Sequence, residues 1–70
     1  MNSTNYIVVL DHYSGRILEI RLTDCEKKKL EQYQDFEDFI QWELCPAYGF
    51  RIEDCSWMSC SELDECRYNF

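Results

Sequence analysis

Seventy residues leave room for one small domain, and a chain this short buries only about 60% of the surface that it exposes when unfolded. Apolar residues at 46% and aromatics at 16% exclude a disordered chain. Seven Lys and Arg against fourteen Asp and Glu exclude the basic footprint of a nucleic-acid binder and a polybasic membrane patch.

The charge is unevenly placed. Residues 1–33 balance five acids against five bases, whereas residues 34–70 carry nine acids and two bases and hold the whole net charge of −7. The N-terminus lacks a basic region followed by a long apolar run, and no stretch approaches the roughly 20 apolar residues of a membrane span. A soluble, cytoplasmic, bacterial protein is expected. One domain over 1–70 is expected, with an ordered core over about 5–63 and a tail over 64–70 that frays.

Tyr6-Ile7-Val8-Val9-Leu10 is a continuous run rich in β-branched residues, the pattern of a buried central strand. Arg16 to Leu22 alternates, with Leu18, Ile20 and Leu22 on one face. Between the two, Asp11-His12-Tyr13-Ser14-Gly15 supplies turn chemistry, and Gly15 is free to take a positive φ. The prediction is a β-hairpin.

Thr23-Asp24-Cys25-Glu26 forms a capping box that starts a helix. One helix over Asp24–Leu44 would gather Cys25, Leu30, Tyr33, Phe36, Ile40 and Leu44 within roughly 140° of arc. Asp35, with Asp38 three residues on, instead resembles a second N-cap, and the favoured reading is a break near Gln34–Asp35. Pro46 is expected to push Cys45 out of the helical region, so that helix ends by about Leu44.

Tyr48-Gly49 then reads as a turn, and Phe50-Arg51-Ile52 with Cys55-Ser56-Trp57-Met58 as a third strand interrupted at Glu53-Asp54. The fold class is α+β, ββαβ or ββααβ, a three-stranded sheet with helix on one face. A single connecting helix makes strands two and three parallel; two helices are expected to reverse the third.

Three of these stretches, the hairpin Ile7–Asp11 with Ser14-Gly15, the helical Asp35-Phe36-Glu37-Asp38-Phe39, and Cys55-Ser56-Trp57-Met58, together resemble a pattern in small uncharacterised acidic bacterial proteins. The resemblance covers most of residues 5–63. It implies a shared ββ-helix-β scaffold and no particular reaction.

Five cysteines, Cys25, Cys45, Cys55, Cys60 and Cys66, show no close-paired C-x-x-C spacing of the kind that aims two thiolates at one zinc ion. The expectation is reduced, metal-free thiols that pack as small hydrophobes, with no cofactor. The alternative is a small metal-binding regulator in which Cys45, Cys55, Cys60 and Cys66 converge. His12, the one histidine, falls in the hairpin turn with no cysteine set beside it by local structure, so a thiol catalyst is not expected. Glu37, Asp38, Glu43, Glu53 and Asp54 lack the spacing of a calcium loop.

Trp42 lies roughly 120° off the Phe36–Ile40–Leu44 face by the helical period. Trp57 and Met58 are neighbours in a strand and so point to opposite sheet faces. The candidate interaction residues are Glu37, Asp38, Trp42, Glu43 and Trp57. The expected function is a non-enzymatic interaction module engaging a basic protein partner, with a homodimer as one arrangement and no direct nucleic-acid or membrane binding.

Overall fold

The computed structural model describes residues 4–70. Strand β1 (Tyr6–Asp11) pairs antiparallel with β2 (Arg16–Arg21) on one side and with β3 (Cys55–Cys60) on the other, giving the order β2-β1-β3. The continuous apolar strand is thus the central one. Gly15 closes the hairpin at φ 73°, the left-handed conformation that an L side chain disfavours. Asn5 extends both ladders by one step, donating its amide to the Cys60 carbonyl at 3.0 Å and accepting from Leu22 at 2.9 Å.

Pairing across the pleat sorts the sheet into two faces. Ile7, Val9 and Asp11 share one face with Ile20, Leu18 and Arg16 and with Ser59, Trp57 and Cys55. Tyr6, Val8 and Leu10 share the other with Arg21, Glu19 and Ile17 and with Cys60, Met58 and Ser56. The helices cover the first face, where Ile7, Val9, Ile20 and Leu22 meet Leu30, Phe39, Ile40, Leu44 and Phe50 in one core.

Helix α1 (Asp24–Leu30) starts at the capping box. The Thr23 hydroxyl accepts from the Glu26 amide at 3.2 Å, and the Glu26 carboxylate accepts from the Thr23 amide at 2.9 Å. Removing the hydroxyl leaves an orphan donor, so Thr23→Ala should cost about 1 kcal/mol. In a domain this small that lowers Tm by about 4–8 °C. Thermal unfolding followed by circular dichroism checks it, and an unchanged curve would mean that the cap does not set where the helix begins.

The chain breaks after α1, as the favoured reading expects, through tightened bonds from Gln32 to the Lys29 carbonyl at 3.0 Å and from Tyr33 to the Leu30 carbonyl at 3.1 Å. Asp35 takes extended backbone at the N-cap of α2 (Phe36–Phe39), but its side chain makes no capping bond. Cys25 is exposed and takes no part in the core. The break resets the helical phase, so Phe39, which the single-helix arc leaves out, becomes a fully buried residue.

Helix does not end at Leu44. A π-helical turn (Ile40–Leu44) follows α2 directly, marked by the Cys45 amide donating to the Ile40 carbonyl five residues back. Helix α3 (Cys45–Tyr48) then continues to Gly49, which caps it at φ 73°. Cys45 is helical at φ −56°, ψ −50° despite the proline behind it. The wider π turn relieves the clash between a proline ring and the carbonyl four residues back, and Pro46 sits in the first turn of α3, where its missing amide matters least.

The expected third strand is shorter at its start. Phe50 is buried in the core, and Ile52–Asp54 form a 3-10 turn before β3 begins at Cys55. This turn also corrects the expected direction. Two helical segments separate β2 from β3, yet both strands run antiparallel to β1 and so parallel to each other. The added reversal through residues 49–54 restores the direction that a second helix alone would have inverted.

Candidate functional site

The π turn holds Trp42 on the outer surface of the helical layer, 63% exposed, while Ile40 and Leu44 of the same turn are fully buried. Glu37 and Asp38 are also exposed, one turn earlier. Asp38, four residues before Trp42, lies on the same face as Trp42 by the helical period. π turns recur at functional sites, because an extra residue in the turn re-aims side chains at the cost of regular bonding.

Glu43 does not join them as a free charge. It turns back to accept from the Tyr33 hydroxyl at 2.7 Å and pairs with Lys29 at 3.2 Å. The Tyr33 hydrogen bond first, and Lys29 second, hold its carboxyl below the usual range, and the same bond raises the Tyr33 phenol. Glu43 therefore ties the π turn to the loop after α1 and lends no open acceptor to the surface.

Trp57 is half-buried on the helix-covered sheet face, stacked on Phe36 with ring centroids 5.3 Å apart and planes 15° apart. It anchors α2 to β3. Its neighbour Met58 points the other way and is exposed, as the strand period predicts. Of the five candidate residues, Glu37, Asp38 and Trp42 are exposed; Glu43 is tied to Tyr33 and Lys29, and Trp57 is half-buried against Phe36.

The cysteines are all free. Cys45 and Cys55 pack half-buried against the core, and burial raises both thiols above their ordinary value. Cys25 and Cys66 are exposed. Among the described residues no group of three or more His, Cys, Asp or Glu side chains is placed to hold a metal ion, so Cys45, Cys55, Cys60 and Cys66 are not gathered into one cluster. Glu53 and Asp54 pair with Arg51 at 3.5 and 3.9 Å. His12 is exposed beside the hairpin turn, with its Nε2 2.7 Å from the Ser56 hydroxyl.

Asp11 is a residue that the turn composition alone does not single out. Its carboxylate accepts from the Tyr13 amide at 3.0 Å, the Ser14 amide at 3.3 Å, the Ser14 hydroxyl at 2.8 Å and Arg16 at 3.2 Å. Arg16 also donates to the Gly49 carbonyl at 3.0 Å, joining the hairpin to the end of α3. The available signal was an Asp three residues before a Ser and five before an Arg, a local Asx-type turn with a cation at its rim.

Comparison with protein-family models, with curated proteins and with solved structures finds no match for this chain. Among the described residues no helix is long and apolar enough to cross a membrane.

Proposed function

We propose that this protein is a non-enzymatic interaction module whose π-turn surface, Trp42 with Glu37 and Asp38, docks a basic protein partner. The observation that supports this most is the exposed Trp42 on a turn whose other apolar side chains are buried. A tryptophan held out of the core by helical phase offers contact area that a partner can desolvate, and tryptophan is enriched among binding hot spots. The exposed carboxylates and the −7 of residues 34–70 favour encounter with a cationic surface.

The test compares wild type with Trp42→Ala and with the double variant Glu37→Lys, Asp38→Lys, leaving Glu43 in place because it braces the turn. All three altered positions are exposed, so Tm should stay within a few degrees of wild type. The purified protein, immobilised, should capture a basic partner from the cells that make it, and that complex should weaken as salt rises from 50 to about 300 mM. Each variant should reduce capture of the identified partner about tenfold or more. Equal capture by wild type and both variants would leave the acidic face as solvation alone and overturn the proposal.

A further inference from the structure

Among the described residues, β3 has a strand on one side only. After Cys60 the tail crosses the sheet face turned away from the helices toward Ile17 and Glu19 of β2, and so leaves the outer edge of β3 behind. Backbone groups alternate sides along a paired strand. The Asp54 and Cys60 carbonyls accept from His12 and Asn5 at 3.0 Å each, so the even-numbered residues from 54 to 60 bond toward β1. Cys55, Trp57 and Ser59 therefore aim their backbone outward. The Cys55 amide donates to the Ile52 carbonyl, whereas the amides and carbonyls of Trp57 and Ser59 have no partner among the described residues.

The two edges of the sheet differ in what guards them. Edge strands are commonly blunted by charge, by proline or by a bulge. Strand β2 carries Arg16, Glu19 and Arg21. Strand β3, Cys-Ser-Trp-Met-Ser-Cys, carries neither charge nor proline, in a chain of which 30% is charged. A two-fold axis sharpens the contrast. The Leu22 amide donates to the Asn5 carbonyl at 2.9 Å, so the even-numbered residues of β2 bond toward β1 and Ile17, Glu19 and Arg21 face out. Pairing β2 with its own copy about the central Glu19 sets two carboxylates opposite each other, which opposes the pairing. The same operation on β3 sets Trp57 opposite its copy and Cys55 opposite Ser59. No charged pair arises in that register, and Trp57, half-buried against Phe36, gains a second ring beside it. Joining β2 of one copy to β3 of the next leaves an open edge at each end and builds an unclosed row of copies.

We infer that two copies of this chain join through β3, antiparallel about Trp57, so that two three-stranded sheets become one continuous sheet. Each copy donates its Trp57 amide to the opposing Trp57 carbonyl and its Ser59 amide to the opposing Cys55 carbonyl. The inference does not rest on the Trp42 surface, which belongs to the helical layer. It also responds to salt in the reverse sense. Two copies of net charge −7 repel at long range, so the dimer should tighten as salt rises from about 50 to about 300 mM.

Sedimentation equilibrium of the purified protein should show a reversible monomer–dimer equilibrium. Ser59→Pro removes an outward amide that serves no bond within the chain, and an edge strand accepts proline at such a position. Its Tm in dilute solution should stay within a few degrees of that of wild type. Its dimer dissociation constant should rise about tenfold or more, because one donor from each copy is lost across the axis. A wild-type protein that stays monomeric at every concentration would overturn the inference, and so would a proline variant that dimerises as tightly as wild type. Amide hydrogen exchange reads the same edge without a substitution. The Trp57 and Ser59 amides of the unaltered protein should exchange about tenfold more slowly in concentrated than in dilute solution. Equal rates at the two concentrations would overturn it as well.

Discussion

Phe39→Ala is expected to leave the protein largely unfolded at 37 °C. Phe39 is fully buried at the junction of α2 and the π turn, with Tyr33 edge-on at 5.9 Å and Phe36 edge-on at 6.0 Å. Truncating a buried phenylalanine costs about 3–5 kcal/mol, because transfer energy is lost and a cavity remains. A domain of this size has about 4–10 kcal/mol of stability in total, at the usual small amount per residue. Phe39 also joins two ring pairs, each worth about 0.5–1.5 kcal/mol beyond burial, so collapse of its neighbours into the hole would sacrifice further contacts. Urea unfolding followed by tryptophan fluorescence measures the effect. A midpoint close to that of wild type would show that the core repacks around the loss, and that Phe39 is not its centre. Trp42, three residues on and mostly exposed, is the internal control: truncating it should leave the midpoint nearly unchanged.

That contrast also marks what could be read in the sequence. The hairpin, its central strand and the capping box follow from local rules, alternation, turn residues and a Thr-x-x-Glu spacing, and each is found where the residues place it. The exposure of Trp42 followed from the 3.6-residue period taken from Phe36, Ile40 and Leu44. Phe39 was hidden because a single helical phase was carried across the break at residues 31–35, and the burial of residues after a break depends on where the new helix docks. The π turn was hidden for a related reason. Nothing in Ile40-Gln41-Trp42-Glu43-Leu44 demands a bond to the fifth residue back; the demand comes from Pro46, and proline can end a helix as readily as widen it. Residues 50–52 have strand composition, but Phe50 is drawn into the core and Ile52 into a 3-10 turn, so tertiary burial overrode propensity. Glu43 looked like a third surface acid because a sequence shows the charge and not its partners, Tyr33 and Lys29, which reach it from the preceding helix and loop.

Asp11, on the helix-covered sheet face, favours loss of its proton. The Ser14 hydroxyl most of all, then the Ser14 amide, Arg16 and the Tyr13 amide, hold the Asp11 carboxyl below its ordinary value of 3.8, against the opposing effect of burial. A carboxyl lowered on folding contributes stability that is present above its unfolded value and is lost as pH falls through its folded one. The hairpin turn therefore weakens in acid.

Asp11→Asn should therefore destabilise the protein at pH 7 and do so less as the pH falls. The amide keeps one oxygen for the Tyr13 and Ser14 backbone donors, but it presents N–H groups where the second carboxylate oxygen now accepts from the Ser14 hydroxyl at 2.8 Å and from Arg16 at 3.2 Å. Arg16 then loses its counter-charge while still held to the Gly49 carbonyl, so the variant loosens both the β1–β2 turn and its tie to α3. Four donors depend on this one side chain, against the single side-chain acceptor removed by Thr23→Ala, and the fall in Tm at pH 7 should be the larger of the two. As the pH falls below the ordinary carboxyl value of 3.8 and through the lowered folded one, the wild-type protein loses the same interactions by protonation, and the two melting temperatures should approach each other. Melting curves measured at several pH values across that range decide the matter. A constant gap between wild type and variant throughout that acid range would mean that the cost of Asn at this position is one of shape, and that the charge on Asp11 does not hold the turn.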